Sequence, residues 1–252
     1  MEILKPRYVA PPEKKKSLLY YLLRPSKFLQ KLKEVYKGIY LKYLGYYWRK
    51  ILNSPKKFTF NKKTYPYFVH QFNQTYYNER CVEIPIVIDE FKKHDPADIL
   101  EVGNVLSHYF NYHHTIIDKF EKSKGVINVD IIDYKPSKKY NLITSISTLE
   151  HVGWDDLPKD DNKIPVAVNA LKNLLTDDGT LLVTAPLGYN PNLDGMLQSE
   201  NLGFSKQLFL KRTGSNGVWK EVTLSEAKNA KYGSPYPCAN VLFVGIYQNN
   251  LN

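Results

Sequence analysis

The sequence predicts an α/β protein built around a doubly wound, mostly parallel β-sheet, preceded by a basic N-terminal helical extension. Two observations lead to this fold class. From residue 98 onward, short apolar runs alternate with segments of helical periodicity, a pattern typical of a parallel sheet with helices on both faces. The first run ends in Glu101-Val102-Gly103, and a glycine there favours a sharp turn out of the strand.

Each element is predicted from its own pattern. Apolar runs bounded by turn residues predict seven strands, and apolar residues at three- and four-residue steps predict helices. The strands are expected at 98–102, 115–118, 126–130, 140–145, 179–185, about 207–212 and 240–248, and the helices near 104–112, 164–175 and 223–230.

The region upstream of the sheet is predicted to be a connection. Residues 58–60 and 64–68 flank Asn61-Lys62-Lys63 and predict a small hairpin. Residues 83–93 predict a helix with Pro85 in its first turn, where a missing N–H has no cost. We therefore divide the chain into a basic, Tyr-rich arm with an amphipathic helix, a connecting hairpin and helix, and a ligand-binding domain, at 1–63, 64–96 and 97–252.

The positive charge of the chain is concentrated in the N-terminal arm. The net charge is +10 over 252 residues, but residues 1–63 hold 17 Lys and Arg against three Glu, a net charge of +14 that leaves the remainder at −4. Residues 17–52 also show an apolar stripe of helical spacing. A basic amphipathic helix can bind an anionic membrane surface or RNA. It can equally pack on the following domain or remain a solvated arm.

Cysteine usage and hydropathy favour a cytoplasmic protein. Cys81 and Cys238 are far apart and lack metal-ligand spacing, so they fit a reducing compartment, and no metal is expected. No apolar run approaches the roughly 18 residues of a membrane-spanning helix. The basic arm leaves peripheral binding to a membrane open.

Acidic and small residues close the first two predicted strands. Glu101, Gly103 and Asn104 end the first strand, where a turn can bring backbone N–H groups close to a ligand. Asp118 ends the second strand, 17 positions after Glu101, and a carboxylate there can accept hydrogen bonds from a ribose diol. An ordinary turn and a solvated loop acid are the alternative interpretations.

A third acid continues this series. Asp130 ends the third predicted strand and can receive an adenine amino group, with Asp133 as a rival. The order of these signals indicates a nucleotide-binding sheet. A hydride-transfer enzyme would require the G-x-G-x-x-G fingerprint, and this turn offers only Gly103, so that class is disfavoured.

These segments together resemble the class I S-adenosylmethionine-dependent methyltransferases over roughly residues 97–248. The resemblance is carried by Leu100-Glu101-Val102-Gly103, Asp118, Asp130, Tyr140-Asn141-Leu142-Ile143, Leu149-Glu150-His151-Val152, Asp177-Asp178-Gly179-Thr180-Leu181-Leu182-Val183 and the late strand from Val241 to Tyr247. It implies a Rossmann-like methyltransferase fold with a seven-stranded sheet whose last strand is antiparallel. It also implies S-adenosyl-L-methionine as cofactor and a small-molecule or glycan acceptor.

The resemblance further implies roles for individual residues. Glu150 and His151 would lie near the transferred methyl group, with His151 as the candidate base for a hydroxyl acceptor. Val105 and Ser107 stand where the family commonly has glycine, which narrows the cofactor's path. The residues implied to bind the cofactor are Glu101, Gly103, Asn104, Asp118, Asp130, Ile131 and Ser147.

The acceptor is expected at the same strand ends. Tyr189 follows the fifth strand, and the long excursion at 213–239, which contains Trp219 and Tyr236, is predicted to roof the pocket. Trp154 can line its mouth. Aromatic and polar groups of this kind suit a sugar or small polar acceptor, and they suit surface packing equally.

Three functions of different classes follow. The first is a small-molecule or glycan O-methyltransferase, held near a membrane by its arm. The second is an RNA methyltransferase that uses the arm as an electrostatic grip, although the sequence has no RRM or KH signature. The third is a catalytically inactive, methyltransferase-like binding protein, as the missing glycines allow.

Overall fold

The chain divides into two compact units, residues 1–44 and 45–252. In the first unit the described residues are helical, and most of the basic arm lies outside the described residues. In the part of the chain that the structure describes, no helix is long and apolar enough to cross a membrane. The computed structural model describes residues 26–29, 32–33, 36, 45–51, 57–215 and 217–249.

The second unit begins with a short helix and the predicted hairpin. Helix α1 (Gly45–Ile51) is followed by strands β1 (Lys57–Phe60) and β2 (Lys63–Pro66), which pair antiparallel. Phe58 and Phe60 are buried while their neighbours on β1 are exposed. This alternation lets one face of the hairpin pack into the apolar core.

Helix α2 (Arg80–Phe91) begins earlier than predicted. Pro85 consequently lies beyond the first turn, which corrects the predicted position. The interior of α2 is apolar and buried, whereas Arg80 at its start donates a hydrogen bond to the carbonyl of Ile146 at 3.1 Å. The start of α2 is thereby fixed to the end of a sheet strand.

The central sheet confirms the predicted mostly parallel architecture. Its strand order is β5-β4-β3-β6-β7-β10-β8-β9, with β3 to β7 parallel to one another and β10 antiparallel to both β7 and β8. The strands are β3 (Ile99–Val102), β4 (Thr115–Ile117), β5 (Val126–Ile127), β6 (Tyr140–Ile146), β7 (Leu175–Pro186), β8 (Lys206–Arg212), β9 (Trp219–Val222) and β10 (Val241–Gln248).

Strand β9 makes the sheet eight-stranded rather than seven-stranded. It pairs antiparallel with β8 at the edge of the sheet. Trp219, at its start, is buried in the core. This residue therefore belongs to the sheet and does not roof a pocket, which corrects the prediction for the first part of the excursion.

Three helices complete the domain. Helix α3 (Lys163–Asn173) matches the helix predicted near 164–175, and α5 (Leu224–Ala227) is shorter than the one predicted near 223–230. Helix α4 (Pro191–Gln198) was not predicted. The side chain of Asn190 caps it by accepting from the backbone N–H of Asn192 at 3.0 Å, with Pro191 in the first turn.

The helix predicted at 104–112 is wrong. This segment forms only a 3-10 turn at Leu106–His108 and then continues without regular structure. Tyr109 and Phe110, which are poor helix formers, instead pack sideways on Phe68 with ring centroids 5.3 and 5.5 Å away. Tertiary packing of aromatic rings therefore replaces the helix.

The core has two layers, one on each face of the sheet. Alternate residues of each central strand point to opposite faces, as the two-residue period of a strand requires. Leu100 and Ile143 lie in the layer that packs against α3, whereas Ile99 and Leu142 lie in the layer that packs against α2 and the hairpin.

Candidate functional site

The turn after β3 is in close contact with the turn after β6. Gly103 has a φ of +87°, a conformation that favours glycine. A Cβ atom at this position would lie 2.1 Å from Oγ1 of Thr148, so any larger residue would collide with the neighbouring turn. Glycine is thus required here by the approach of two strand ends.

Glu101 is fully buried, and its carboxylate is engaged within the protein. Oε1 accepts from the backbone N–H groups of Val105 and Leu106, both at 2.8 Å, and Nε2 of His114 lies 2.6 Å from Oε2. The side chains of Glu101 and His114 are both 0% exposed. Glu101 therefore orders the turn after β3, and any support that it gives to a cofactor passes through that backbone.

Asp118 lies directly after β4 and is half-buried. Its Oδ1 accepts from the N–H groups of Phe120 and Glu121 at 2.7 Å, and Oδ2 accepts from that of Asn104 at 3.3 Å. The Asn104 side chain donates to Glu121 at 2.6 Å. A carboxylate oxygen has two lone-pair sites, so Oδ2 retains capacity for another donor.

Asp130 is held in a cluster of four alternating charges. Lys163 and Lys119 lie 2.5 and 3.0 Å from its Oδ2, and both lysines also pair with Asp156. Burial alone would raise the pKa of Asp130, but the hydrogen bonds from the two lysines outweigh it and lower the pKa. The adjacent Ile131 is buried. The predicted adenine contact of Asp130 thus competes with strong ionic partners.

A cavity of about 200 Å³ lies at the carboxyl ends of β6 and β7. It is next to the point where the strand order reverses between β3 and β6, the usual ligand position in such sheets. Its walls come from the start of α2, the turn after β6, the loop after β7 and the excursion before β10. Its lining includes the ionisable and aromatic side chains of Glu79, Arg80, Glu150, His151, Tyr189 and Tyr232.

Ser147, a predicted cofactor contact, also lines the cavity and is tied to α2. Its φ of +40° turns the chain sharply after β6, and its hydroxyl donates to Glu83. Glu83 also accepts the hydroxyl of Thr184 at 2.8 Å and pairs with Arg80 at 2.8 Å. The carboxylate of Glu83 is therefore fully compensated, although its side chain is completely buried.

Two other buried glutamates at the cavity lack such compensation. Glu79 accepts the N–H of Ala239 at 3.1 Å, and Oε2 of Glu150 is buried without a hydrogen-bond partner. Burial, and then the charge of Glu83, raises the pKa of Glu79, and burial raises the pKa of Glu150 well above its usual range. Among the described residues that line the cavity, Arg80 is the only arginine or lysine.

His151 is oriented by a neighbouring carboxylate. Its Nδ1 lies 2.6 Å from Oδ2 of Asp155, which also accepts the hydroxyl of Tyr189 at 3.1 Å. With the ring proton on Nδ1, Nε2 can accept a proton. Nε2 lies 3.6 Å from Oε1 of Glu150. The arrangement can hold a neutral imidazole that accepts a proton from a bound molecule.

The residues predicted to contact the acceptor do not all meet at the cavity. Tyr189 lines it, whereas Trp154 and Tyr236 are not among its lining residues. Nζ of Lys159 lies 3.1 Å from the ring centroid of Trp154. The guanidinium carbon of Arg212 lies 5.0 Å from the ring centroid of Tyr236. Each of these two rings has a cationic neighbour of its own.

The charged residues at the start of α2 were not predicted from the sequence to belong to the site. Glu79, Arg80 and Glu83 stand at the start of a helix whose middle, residues 84–88, is apolar. Charged residues on a helix whose remaining surface must be buried are costly unless they are paired or functional. The contrast between these charged residues and the apolar middle of the helix is the sequence signal that could have identified them. Among the described residues, no group of three His, Cys, Asp or Glu could hold a metal ion.

The strand order, with its reversal between β3 and β6 and an antiparallel β10 between β7 and β8, defines a Rossmann-like methyltransferase fold. The fold class predicted from the sequence is thereby confirmed. The resemblance to class I S-adenosylmethionine-dependent methyltransferases is confirmed at the level of the fold.

Comparison with known proteins gives no matching family model and no matching curated protein, whereas many solved structures are similar. One is the N-methyltransferase NodS from Bradyrhizobium japonicum in complex with S-adenosylhomocysteine, at 10% identity and a TM-score of 0.43, covering 68% of this chain and 87% of that one. Another is a possible histamine N-methyltransferase from Thermotoga maritima, at 11% identity and a TM-score of 0.38, covering 60% and 81%.

A third similar structure is a TehB-like methyltransferase from Corynebacterium glutamicum. It has 16% identity and a TM-score of 0.36, and the match covers 66% of this chain and 86% of that one.

Proposed function

We propose that this protein is an S-adenosylmethionine-dependent methyltransferase that acts on a small polar acceptor bound in the cavity. The observation that carries the proposal is the position of that cavity at the carboxyl ends of β6 and β7, beside the strand-order reversal. Ligands of open α/β sheets bind at this position because the strand ends and their turns leave a crevice there.

The residues present fit the cofactor that the fold family implies. Asp118 would hold the ribose, because its Oδ2 accepts only one long hydrogen bond, 3.3 Å from the N–H of Asn104. Asn104 and Gly103 would lie under the amino-acid portion, and Ile131 would flank the adenine beside Asp130. The cavity is smaller than the roughly 300–1,000 Å³ of typical small-molecule sites, so it suits the acceptor rather than an adenosyl group.

The bound cofactor supplies a methyl group on a positively charged sulfur, and the protein's part is mainly to position the acceptor. His151 would accept the proton that the acceptor loses, because Asp155 orients its ring with Nδ1 protonated. A hydroxyl acceptor, as the sequence favoured, and an ammonium acceptor both require this proton acceptor. Glu150 would lie next to the reacting atom.

The proposal is tested by titrating the full chain with S-adenosylhomocysteine in a calorimeter. We expect binding, and we expect Asp118→Ala to weaken it roughly 10- to 100-fold because charge-assisted hydrogen bonds to the ribose are lost. Asp178→Ala, which removes an exposed acid from β7, is the matched control and should bind normally.

The other two functions predict different results. If the intact protein gives no heat with S-adenosylhomocysteine, the methyltransferase proposal fails and the binding-protein hypothesis gains support. If the protein retains labelled RNA with a steep salt dependence, the RNA methyltransferase hypothesis gains support. Membrane or RNA binding by residues 1–63 stays a prediction.

A further inference from the structure

We propose that the cavity beside α2 binds its small-molecule ligand through an ammonium group, so that the methylated acceptor is an amine. The inference names the acceptor class of the methyltransferase proposed above and rests on that function for its reaction.

Among the described residues at the cavity, buried carboxyl groups outnumber the lysine and arginine side chains. Glu79 and Glu150, which line the cavity, are 7% and 2% exposed. Arg80 is already paired with Glu83 at 2.8 Å and donates to the carbonyl of Ile146. Three buried carboxyl groups, those of Glu79, Glu83 and Glu150, therefore share one guanidinium, and a cationic ligand would favour the ionised forms of Glu79 and Glu150.

One carboxyl oxygen at the cavity lacks a hydrogen-bond donor. Oε2 of Glu150 is buried and has no hydrogen-bond partner, although Glu150 lines the cavity. Buried carboxyl oxygens in native proteins are nearly always paired, and an exception requires an explanation. The N–H group of a bound ammonium would supply the missing donor, whereas the carboxylate of an anionic ligand has no donor to offer.

Two tyrosine rings form an aromatic wall of the cavity. The rings of Tyr189 and Tyr232, which line the cavity, meet edge to face with centroids 5.4 Å apart. Aromatic faces attract cations, so this wall favours an alkylammonium over an anion of similar size. His151 contacts Tyr189 at 4.8 Å, which keeps the proton acceptor beside the same wall.

The reaction balances with these groups. The bound ammonium loses one proton to Nε2 of His151 and becomes a neutral amine. The amine lone pair forms a C–N bond to the methyl carbon as the C–S bond breaks, and the electron pair of that bond remains on sulfur. The methylated product is again a cation, and His151 releases its proton to solvent.

The test uses matched amines and alcohols on the full-length protein. Benzylamine and 1,4-diaminobutane are titrated calorimetrically against benzyl alcohol and 1,4-butanediol, with and without saturating S-adenosylhomocysteine. We expect both amines to bind the saturated protein and both alcohols to give no heat. Glu150→Gln should weaken amine binding at least about tenfold, since it removes a charge-assisted hydrogen bond.

The control variant is Glu200→Gln, which neutralises an exposed glutamate and should bind the amines like the unmodified chain. Urea unfolding of both variants verifies that each is folded. Alcohols that bind as well as the amines, amines that do not bind, or amine binding unaffected by Glu150→Gln would each overturn the ammonium site.

The S-adenosylhomocysteine arm separates this inference from the proposed function. If S-adenosylhomocysteine binds but displaces the amines, the cavity holds the cofactor's own ammonium group and the amine-acceptor inference is wrong, while the methyltransferase proposal stands. If the amines bind in a Glu150-dependent manner and S-adenosylhomocysteine does not, the methyltransferase proposal fails and amine methylation fails with it.

Discussion

The carboxyl edge of the sheet has two halves that treat their acidic residues in opposite ways. After β3, β4 and β5, Glu101, Asp118 and Asp130 have protein partners for their carboxylates, from backbone N–H groups, a histidine or lysines. At the ends of β6 and β7, Glu79 and Glu150 are buried at a cavity, and Glu150 has an oxygen without a partner.

An acid that stands out in a sequence motif is therefore not always the acid that is available to bind a ligand. In the first half, the acids stabilise turns whose backbone would otherwise be irregular. In the second half, burial without compensation makes the ionised carboxyl groups unfavourable, and protonation or a cationic ligand reduces that free-energy cost. Substitutions of acids should therefore have opposite effects on stability in the two halves.

The largest expected effect is the loss of Glu101 in the first half. Glu101→Ala removes the acceptor for the N–H groups of Val105 and Leu106 and for His114, all of which are buried. We expect the free energy of unfolding to fall by about 3–5 kcal/mol. Urea unfolding measures this fall, with Glu101→Gln as the variant that keeps one acceptor oxygen. A loss below about 1 kcal/mol would show that the buried network contributes little.

The second expected effect is an increase in the free energy of unfolding, on substitution of Glu150 at the cavity. Glu150→Gln should raise the free energy of unfolding by about 1–2 kcal/mol at neutral pH, because it removes a buried carboxyl group with an unpartnered oxygen. The raised pKa of Glu150 means that the folded protein binds an extra proton above the pKa of the unfolded chain, near 4.3.

The contribution of Glu150 to the stability of the unmodified chain should therefore fall as the pH rises above about 4. The advantage of Glu150→Gln should grow over the same range and vanish below it. Urea unfolding at a series of pH values measures the difference between the two proteins. A pH-independent difference would mean that Glu150 is ionised in both states, and it would break the comparison drawn above.

The smallest effect concerns Asp194 on α4, near the loop after β7. Burial raises its pKa to about 6, although Oδ2 accepts the N–H of Gly188 at 2.8 Å, and Oδ1 has no partner. Asp194→Asn keeps an acceptor oxygen and should stabilise the protein by about 1 kcal/mol at pH 7, a value reduced for partial exposure.

For Asp194 the gain should appear between the unfolded pKa near 3.9 and pH 6, since the carboxyl group is protonated only in the folded state over that range. Thermal unfolding at pH 4 and pH 7 checks this expectation. Equal melting-temperature shifts at both pH values would contradict it.

Much of the sheet is predictable from local pattern, because short, largely apolar runs between turns leave little choice of structure. The strands from 99 to 186 and the hairpin at 57–66 are found close to their predicted positions. The segment at 104–112 is not, because its conformation depends on the side chain of Glu101 and on packing against Phe68, which are remote from its own periodicity.

The candidate site divides in the same way. Position after a strand predicted Asp118 and Gly103 at the carboxyl edge. The family resemblance implied that Glu150 and His151 lie near the transferred methyl group, and in the structure both residues line the cavity. The pairing of Asp130 with Lys163 joins residues 33 positions apart, and no spacing rule anticipates it.

Strand periodicity and the order of turns, which are local properties of the sequence, by themselves determine the α/β class and the edge of the sheet where a ligand can bind. Only the tertiary structure decides which acids are consumed by structural hydrogen bonds and which face a cavity. The reason is physical: whether a carboxyl group is compensated depends on donors and burial contributed by distant segments, here the start of α2 against the turn after β6.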